Sequence, residues 1–451
     1  MEATKENKMG TAPVFNLILK MSLPAMFSML IQSLYNVVDA MFVSKINDNA
    51  FNALNLAFPV QTLMIAVAVG TGVGINSLVS RKLGEGKREE ASNAASHGLV
   101  LGAINWLVFV ILGVFFTKGF YQLFTNDSEV LRLACDYTYI VTILSFGVFI
   151  EVVLEKTLQA TGNMIFPMLF QLTGAVTNII LDPIFIFVFK MGIKGAAIAT
   201  VIGQILAMIF SLIIIFTKNH EVHITLRKFR FNRKIVKEIY VVGLPSIVMQ
   251  SIMSVLVAGL NKILALANSN DAINVLGSYY KLQSFVFMPV FGLNQGVMPI
   301  MGYNYGAGNK KRLLSALKYG LAIAVAIMAL GTIIFCAIPG LLLSIFNASS
   351  SMLEIGVPAL RIISICFVFA ALGIIFSTLF QAVGNGVYSL IVSVLRQLVI
   401  ILPVAYFLSL IGLEYFWYAF PIAEVVSFVI SILLFKRLYS KKIKNLEQIS
   451  I

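Results

Sequence analysis

The sequence predicts an all-α polytopic membrane protein, with twelve transmembrane helices forming two six-helix bundles related by a parallel pseudo-two-fold repeat. Three observations carry that prediction. Of 451 residues, 59% are hydrophobic and only 12% charged, about half the roughly 25% charged share of an ordinary soluble domain. Apolar stretches near the ~20 residues of a bilayer crossing recur along the whole chain. The two halves also repeat one another at an offset near 221 residues. Such a composition cannot cover a globular surface with charge, so soluble enzymes, nucleic-acid binders and disordered scaffolds are excluded.

The spans are expected at 13–43, 51–80, 93–116, 131–161, 164–189, 195–217, 239–266, 273–303, 313–338, 353–381, 386–410 and 416–435. The first apolar run contains Lys20, is too long for the core of a signal peptide and leads into further spans, so no cleavable leader is expected. Basic residues set the orientation. Residues 1–12, 81–92, 218–238, 304–312 and 436–451 hold 21 Lys and Arg, whereas the opposite connections hold only Lys45, Lys118, Lys190 and Lys194. The first set therefore belongs to the cytoplasmic face of the plasma (inner) membrane, with both termini among it. That requires an even number of crossings. The cytoplasmic segments also carry 8 acidic residues, so they account for the chain's entire net charge of +13. The excess signals topology and implies no nucleic-acid partner.

The repeat is legible motif by motif. Leu23-Pro24 corresponds to Leu244-Pro245, and Gly84-Glu85-Gly86-Lys87 to Gly306-Ala307-Gly308-Asn309. The strongest match sets Leu158-Gln159-Ala160-Thr161-Gly162-Asn163 against Phe380-Gln381-Ala382-Val383-Gly384-Asn385. Six spans per copy mean that both copies enter from the same side, which makes the repeat parallel and not inverted. The expected organisation is an N-terminal bundle over 1–217, a basic cytoplasmic linker over 218–238, a C-terminal bundle over 239–435 and a basic tail over 436–451. Two similar bundles facing a central cleft is the architecture of a secondary transporter, with substrate at the repeat interface and access alternating as the bundles rock.

Ionisable residues inside spans are functional candidates by default. The first copy has Asp39, Glu151, Glu155 and Asp182; the second has Glu424. Ser28, Gln32, Asn36 and Asp39 recur at helical spacing with Tyr35 beside them, so this face must look into the bundle or a wet cleft. Asp182 follows Asn178 by four residues and Gln171 by eleven. Both aspartates lie a similar distance, ~9–12 Å, before the lysines that end their spans. Pro183 removes a helical hydrogen bond and frees the carbonyl of Ile179. A bent helix with two neighbouring carboxyl groups suits a proton or Na⁺, because like charges so close resist ionising together. The competing reading is a structural hydrogen-bond network. The repeat favours coupling, since Leu260 or Asn261 and Leu402 stand at the equivalent positions. Glu151 and Glu155 read equally as a gate or a proton relay, with Lys156 a candidate partner. Glu424 is a candidate partner for Arg396 or Lys281.

Other signals are weaker. Cys135, Cys336 and Cys366, and His97, His220 and His223, lack metal-ligand spacing, so no zinc or other metal site is expected. Met249, Met253, Met288, Met298 and Met301, with Tyr279, Tyr280, Phe285 and Phe287 nearby, suit loose binding of flat apolar cations, although ordinary packing accounts for them as well. Gly70-Thr71-Gly72-Val73-Gly74 lacks the Gly-Lys-Ser/Thr of a phosphate loop and reads as small residues permitting close helix packing.

With these residues assembled, the chain resembles the multidrug and toxic compound extrusion (MATE) family, most closely its bacterial MepA/DinF-like branch. The similar stretches are Ser22-Leu23-Pro24-Ala25, Leu34-Tyr35-Asn36-Val37-Val38-Asp39, Gly84-Glu85-Gly86, the Leu158–Asn163 motif and Asn178-Ile179-Ile180-Leu181-Asp182-Pro183. The resemblance implies a cation-coupled antiporter exporting organic, often cationic, compounds. It puts the family's first- and fifth-helix aspartates at Asp39 and Asp182 and its fourth-helix glutamate at Glu155. The NorM-like acids of the seventh and tenth helices have no counterpart, since those positions offer Gln250 and only an end-of-helix Glu354.

The expected protein is thus a proton-coupled, less readily Na⁺-coupled, multidrug antiporter that works as a monomer in the bilayer without a cofactor beyond its coupling ion. Ion coupling is expected at Asp39, Asp182, Asn36, Asn178 and Glu155, and substrate contact or gating at Gln32, Tyr35, Glu151, Gln250 and Met288. A lipid or lipid-linked-sugar flippase would want a large cationic cleft, and a membrane-embedded enzyme would want His, Cys or metal partners for its acids.

Overall fold

The computed structural model describes residues 7–218, 221–227, 229–267, 269–346 and 348–446, apart from the side chains at 40 and 44. His220, Lys228 in the basic segment and the last five residues of the tail lie outside the described residues. All regular structure among the described residues is helical, as hydrocarbon surroundings demand: only a helix or a closed barrel satisfies its own backbone there. The first half comprises α1 (Val14–Ser44), α2 (Asp48–Gly84), α3 (Arg88–Gln122), α4 (Ser128–Ile143 continuing as Phe146–Ala160), α5 (Ile165–Val188) and α6 (Ile193–Thr217). The second comprises α7 (Arg233–Leu266), α8 (Asn270–Gly306), α9 (Lys310–Ala337), α10 (Ser350–Ser364 continuing as Phe367–Ala382), α11 (Gly386–Ile411) and α12 (Leu413–Ile443). Ten are long and apolar enough to cross a membrane alone, and the bent pairs of α4 and α10 bring the number to twelve.

Each expected span falls on one of these helices, but α4 and α10 are not the single rods expected at 131–161 and 353–381. They bend by 46° at Leu144-Ser145 and by 45° at Ile365-Cys366, one repeat apart. The repeat is also written into the backbone. Gly162 and Gly384 have φ of 86° and 74°, and Gly86 and Gly308 have 75° and 68°. In all four cases the next residue bonds back five positions, as in Asn163 N to Leu158 O at 3.1 Å and Lys87 N to Lys82 O at 2.9 Å. This left-handed helix stop costs glycine no Cβ clash.

By compactness the chain divides at other places than the repeat does. One unit is Met1–Met26 with Val248–Ile451, and the other is Phe27–Ile247. The first turns of α1 therefore belong with the second half, and those of α7, with the basic segment before it, belong with the first. Glycine accounts for both assignments. A Cβ on Gly70 of α2 would stand 2.7 Å from the Ile247 nitrogen, and one on Gly74 would collide with the Ile239 carbonyl. In the other unit, a Cβ on Gly296 of α8 would stand 2.8 Å from Ser22 N and Cα, and one on Gly292 would collide with Met26. The smooth faces Gly70/Gly74 and Gly292/Gly296 are repeat equivalents, and each holds the start of the other half's first helix. Pro24 and Pro245 lie just before the points of division.

The basic segment is fixed to its unit by the start of α3. His97 Nε2 accepts from the Asn232 backbone at 2.8 Å, which leaves Nδ1 to donate to Asn93 O at 2.8 Å. Ser92 and Ser96 hydroxyls accept from His223 N and Thr225 N.

Candidate functional site

Within the unit 27–247, the C-terminal half of α1 sets Asp39 beside Asp182 of α5, with the two carboxyl groups in hydrogen-bonding reach. Asp182 is wholly buried, and Asp39 has one carboxyl oxygen shut off from solvent. The four-residue spacing puts Asn178 one turn below Asp182 on the same face of α5. With its amide nitrogen toward Asp182, Asn178 donates to Oδ2 at 2.7 Å, and its oxygen accepts from the Thr200 hydroxyl and amide of α6, both at 3.1 Å. This orientation is the one that matches donors to acceptors. The single Thr200 hydroxyl proton is then committed to Asn178, so Tyr35, also hydrogen-bonded to Thr200, is the donor in that pair. Tyr137 of α4 closes the site: it is 1% exposed, donates to Gln61 of α2 at 3.4 Å and lies within electrostatic reach of both aspartates.

Neither aspartate is in an ion pair among the described residues. Two ionised carboxylates have no proton to share, so a hydrogen bond between them needs one group protonated. Such a pair can hold one proton between its two carboxyl groups. Beyond Asp182 the helix does not simply kink. Pro183 is followed by a wide π-helical turn, Ile184–Val188, with Phe189 N bonding Ile184 O at 2.9 Å. Such turns absorb a lost hydrogen bond and are frequent at functional sites.

The residues singled out in the sequence fall into three groups. Asp39, Asp182, Asn178 and Tyr35 come together. Asn36 and Gln32 are exposed on α1 and make no hydrogen bond to the pair. Glu155 and Glu151 form a separate buried cluster in the second half of α4. There Lys156 Nζ meets Glu155 Oε1 at 2.9 Å and Gln159 Oε1 at 3.0 Å, while Gln171 of α5 donates to Glu155 Oε2 at 3.0 Å. Glu151 is 7% exposed with Oε1 unpartnered. Gln250 and Met288 are half-buried in the other unit. The partner of Glu424 is Arg396, at 3.4 Å and carried on a second π-helical turn, Leu395–Ile400, whereas Lys281 lies over the Phe346 ring. Thr200, Tyr137 and Gln61 join the site without a signal in the sequence, because no spacing within one helix links them to α1 or α5.

Fold and site together define a multi-pass membrane transporter. The MatE family model matches residues 24–184 and 245–407, two copies set 221 residues apart like the repeat. This chain belongs to the MATE family. It is 28% identical over 422 residues to the multidrug export protein MepA of Staphylococcus aureus, covering 92% of this chain and 91% of that one. It is 27% identical over 415 residues to the protein of the same name from Staphylococcus saprophyticus, with the same coverage. An outward-facing structure of a multidrug resistance MATE family transporter of the MOP superfamily superposes with TM-score 0.94 at 29% identity, covering 99% of this chain and all of that one.

Proposed function

We propose that this chain is a multidrug efflux antiporter of the plasma membrane that exchanges protons for organic, often cationic, compounds by alternating access and acts as a monomer with both termini in the cytoplasm. The names of the MepA relatives support multidrug export. The facing carboxyl groups of Asp39 and Asp182 support the proton as coupling ion. A sodium ion needs several oxygens turned toward it, yet Asn178 turns its N–H to Asp182 and its oxygen to Thr200.

The division of α1 supports alternating access. Its inner turns, to Met26, belong to one unit and its later turns, with Asp39, to the other. Binding or loss of the shared proton changes how α1 packs on α5, and the chain passes that change through residues 24–27 to the other unit. Efflux from proteoliposomes tests the reading: an imposed pH gradient drives it, and Asp39→Asn and Asp182→Asn each abolish it while the protein stays folded. Undiminished efflux by both variants refutes it.

A further inference from the structure

The first turns of α7 line a groove that the carboxyl pair leaves without a role. It lies within the unit Phe27–Ile247, between α7, α2 and α3, and encloses about 610 Å³. Arg233, Lys237, Tyr240, Leu244 and Ile247 line it at spacings of four, three, four and three, one continuous stripe down the helix. The chemistry changes in order along that stripe: two cations, then a phenol, then two aliphatic side chains. Arg233 and Lys237 are exposed. Among the described residues they take part in no ion pair, and no carboxylate lines the groove.

Below the cations the wall makes no polar demand. The Tyr240 hydroxyl donates to Asn105 Oδ1 at 3.3 Å, and the Asn105 amide donates to the Thr71 hydroxyl at 3.1 Å. These groups satisfy one another and leave Val67, Leu244 and Ile247 to meet an apolar occupant. Leu244 is 55% exposed, and Ile104, Leu107 and Val108 of α3 are exposed beside Asn105, a continuous apolar surface of the kind that lipid covers. The depth agrees. From Lys237 to Ile247 is ten residues, or ~15 Å of helix, half of a hydrocarbon core ~30 Å thick. The two cations therefore stand at the level of lipid phosphates, with the exposed Phe231 beside them as an interfacial aromatic.

The tendency of basic residues to stay in the cytoplasm accounts for charge in this segment, but not for its place on the stripe. In the first copy the equivalent positions are Ala12, Asn16, Leu19, Leu23 and Met26, a stripe without a cation. A zwitterionic headgroup would bring its own ammonium against the two cations, with no carboxylate to receive it. We propose that the groove holds one anionic phospholipid, its headgroup charge on Arg233 and Lys237 and an acyl chain along Tyr240, Leu244 and Ile247. Only the leaflet, the cytoplasmic one, rests on the proposed orientation; binding is measured without it and without transport.

Native mass spectrometry of the purified full-length protein counts bound lipids and gives their affinities. The probes are phosphatidylglycerol and phosphatidylcholine with identical acyl chains. The wild type should bind its first phosphatidylglycerol more than about tenfold tighter than phosphatidylcholine, at roughly fivefold per cation. Arg233→Gln and Lys237→Gln should each lose about fivefold, and the double variant should no longer distinguish the two lipids. Lys237→Arg should keep the preference. Lys234→Gln removes a charge from the same segment but off the groove wall, and should stay within about twofold. Glycerol phosphate in excess should not displace the lipid, because it lacks the acyl chain. An unchanged melting temperature and retained phosphatidylcholine binding report that each variant is folded. Equal wild-type affinity for both lipids, equal losses in Lys234→Gln and Lys237→Gln, or displacement by glycerol phosphate would each overturn the proposal.

Discussion

Replacing Gly70 by alanine tests the glycine seam that holds α7 to the first unit. The added Cβ would stand 2.5 Å from Ile247 Cγ1 and 2.7 Å from the Ile247 nitrogen, where ordinary contact begins at 3.4 Å. The Ile247 side chain can rotate away but its backbone cannot, so α7 must retreat by about 0.7 Å. Overpacking of this kind costs ~1–3 kcal/mol, against a gain of ~0.5–1 kcal/mol from alanine's better helix propensity. The net loss is then up to ~2.5 kcal/mol, which for a unit of this size lowers the melting temperature by up to roughly 10 °C. Gly243→Ala, whose Cβ would stand 3.2 Å from Gly70 O, asks a neighbour to yield only slightly and should cost less. Gly119→Ala, with nothing within 4 Å, should gain stability. Thermal unfolding of the three purified variants followed by tryptophan fluorescence gives the ranking. Equal melting temperatures for Gly70→Ala and Gly119→Ala would refute the close seam and, with it, the reason α7 begins in the first unit.

Two further outcomes follow from the charges. Lys156→Met strands the buried Glu155 carboxylate and should cost about 3–5 kcal/mol, whereas Lys156→Met with Glu155→Gln should recover most of it; denaturation of the two variants side by side measures the difference. Burial pushes the Glu85 carboxyl up, but Lys87 and Lys82, at 2.9 and 3.0 Å, outweigh it and hold the group below the usual carboxylate range. Its stabilising contribution is therefore complete above the ordinary value of about 4.3 and is lost as pH falls through the lowered one. The melting-temperature gap between wild type and Glu85→Gln should hold steady from pH 7 to about 5 and close below about 4; a gap that widens in acid contradicts the ion pairs.

Much of the fold and half of the site are legible in the sequence, and the exceptions share a cause. The spans show because apolar runs of bilayer length seldom occur in chains that stay in water. Asp39 and Asp182 show because so few acids lie inside those runs. Thr200, Tyr137 and Gln61 do not show: a hydroxyl or amide in a span is ordinary, and only packing of α6, α4 and α2 around α1 and α5 gives these three a role. The bends at Ser145 and Cys366 carry no proline. The repeat marks where each copy begins but not which unit a half-helix packs on. Gly70, Gly72 and Gly74 announce close packing, while the neighbours, α7 for Gly70 and Gly74 and α4 for Gly72, need the fold. Arg396, carried on the π-helical turn Leu395–Ile400, takes Glu424 rather than leaving it to Lys281, and no spacing in the sequence distinguishes the two cations.

The proposed antiport turns on one proton shared by Asp39 and Asp182. The most direct measurement is dye efflux from proteoliposomes under an imposed pH gradient and, separately, an imposed Na⁺ gradient, for wild type, Asp39→Asn and Asp182→Asn. Efflux driven by the pH gradient alone and lost in both variants is the predicted result. Efflux driven by Na⁺ without a pH gradient, or undiminished in both variants, would contradict it.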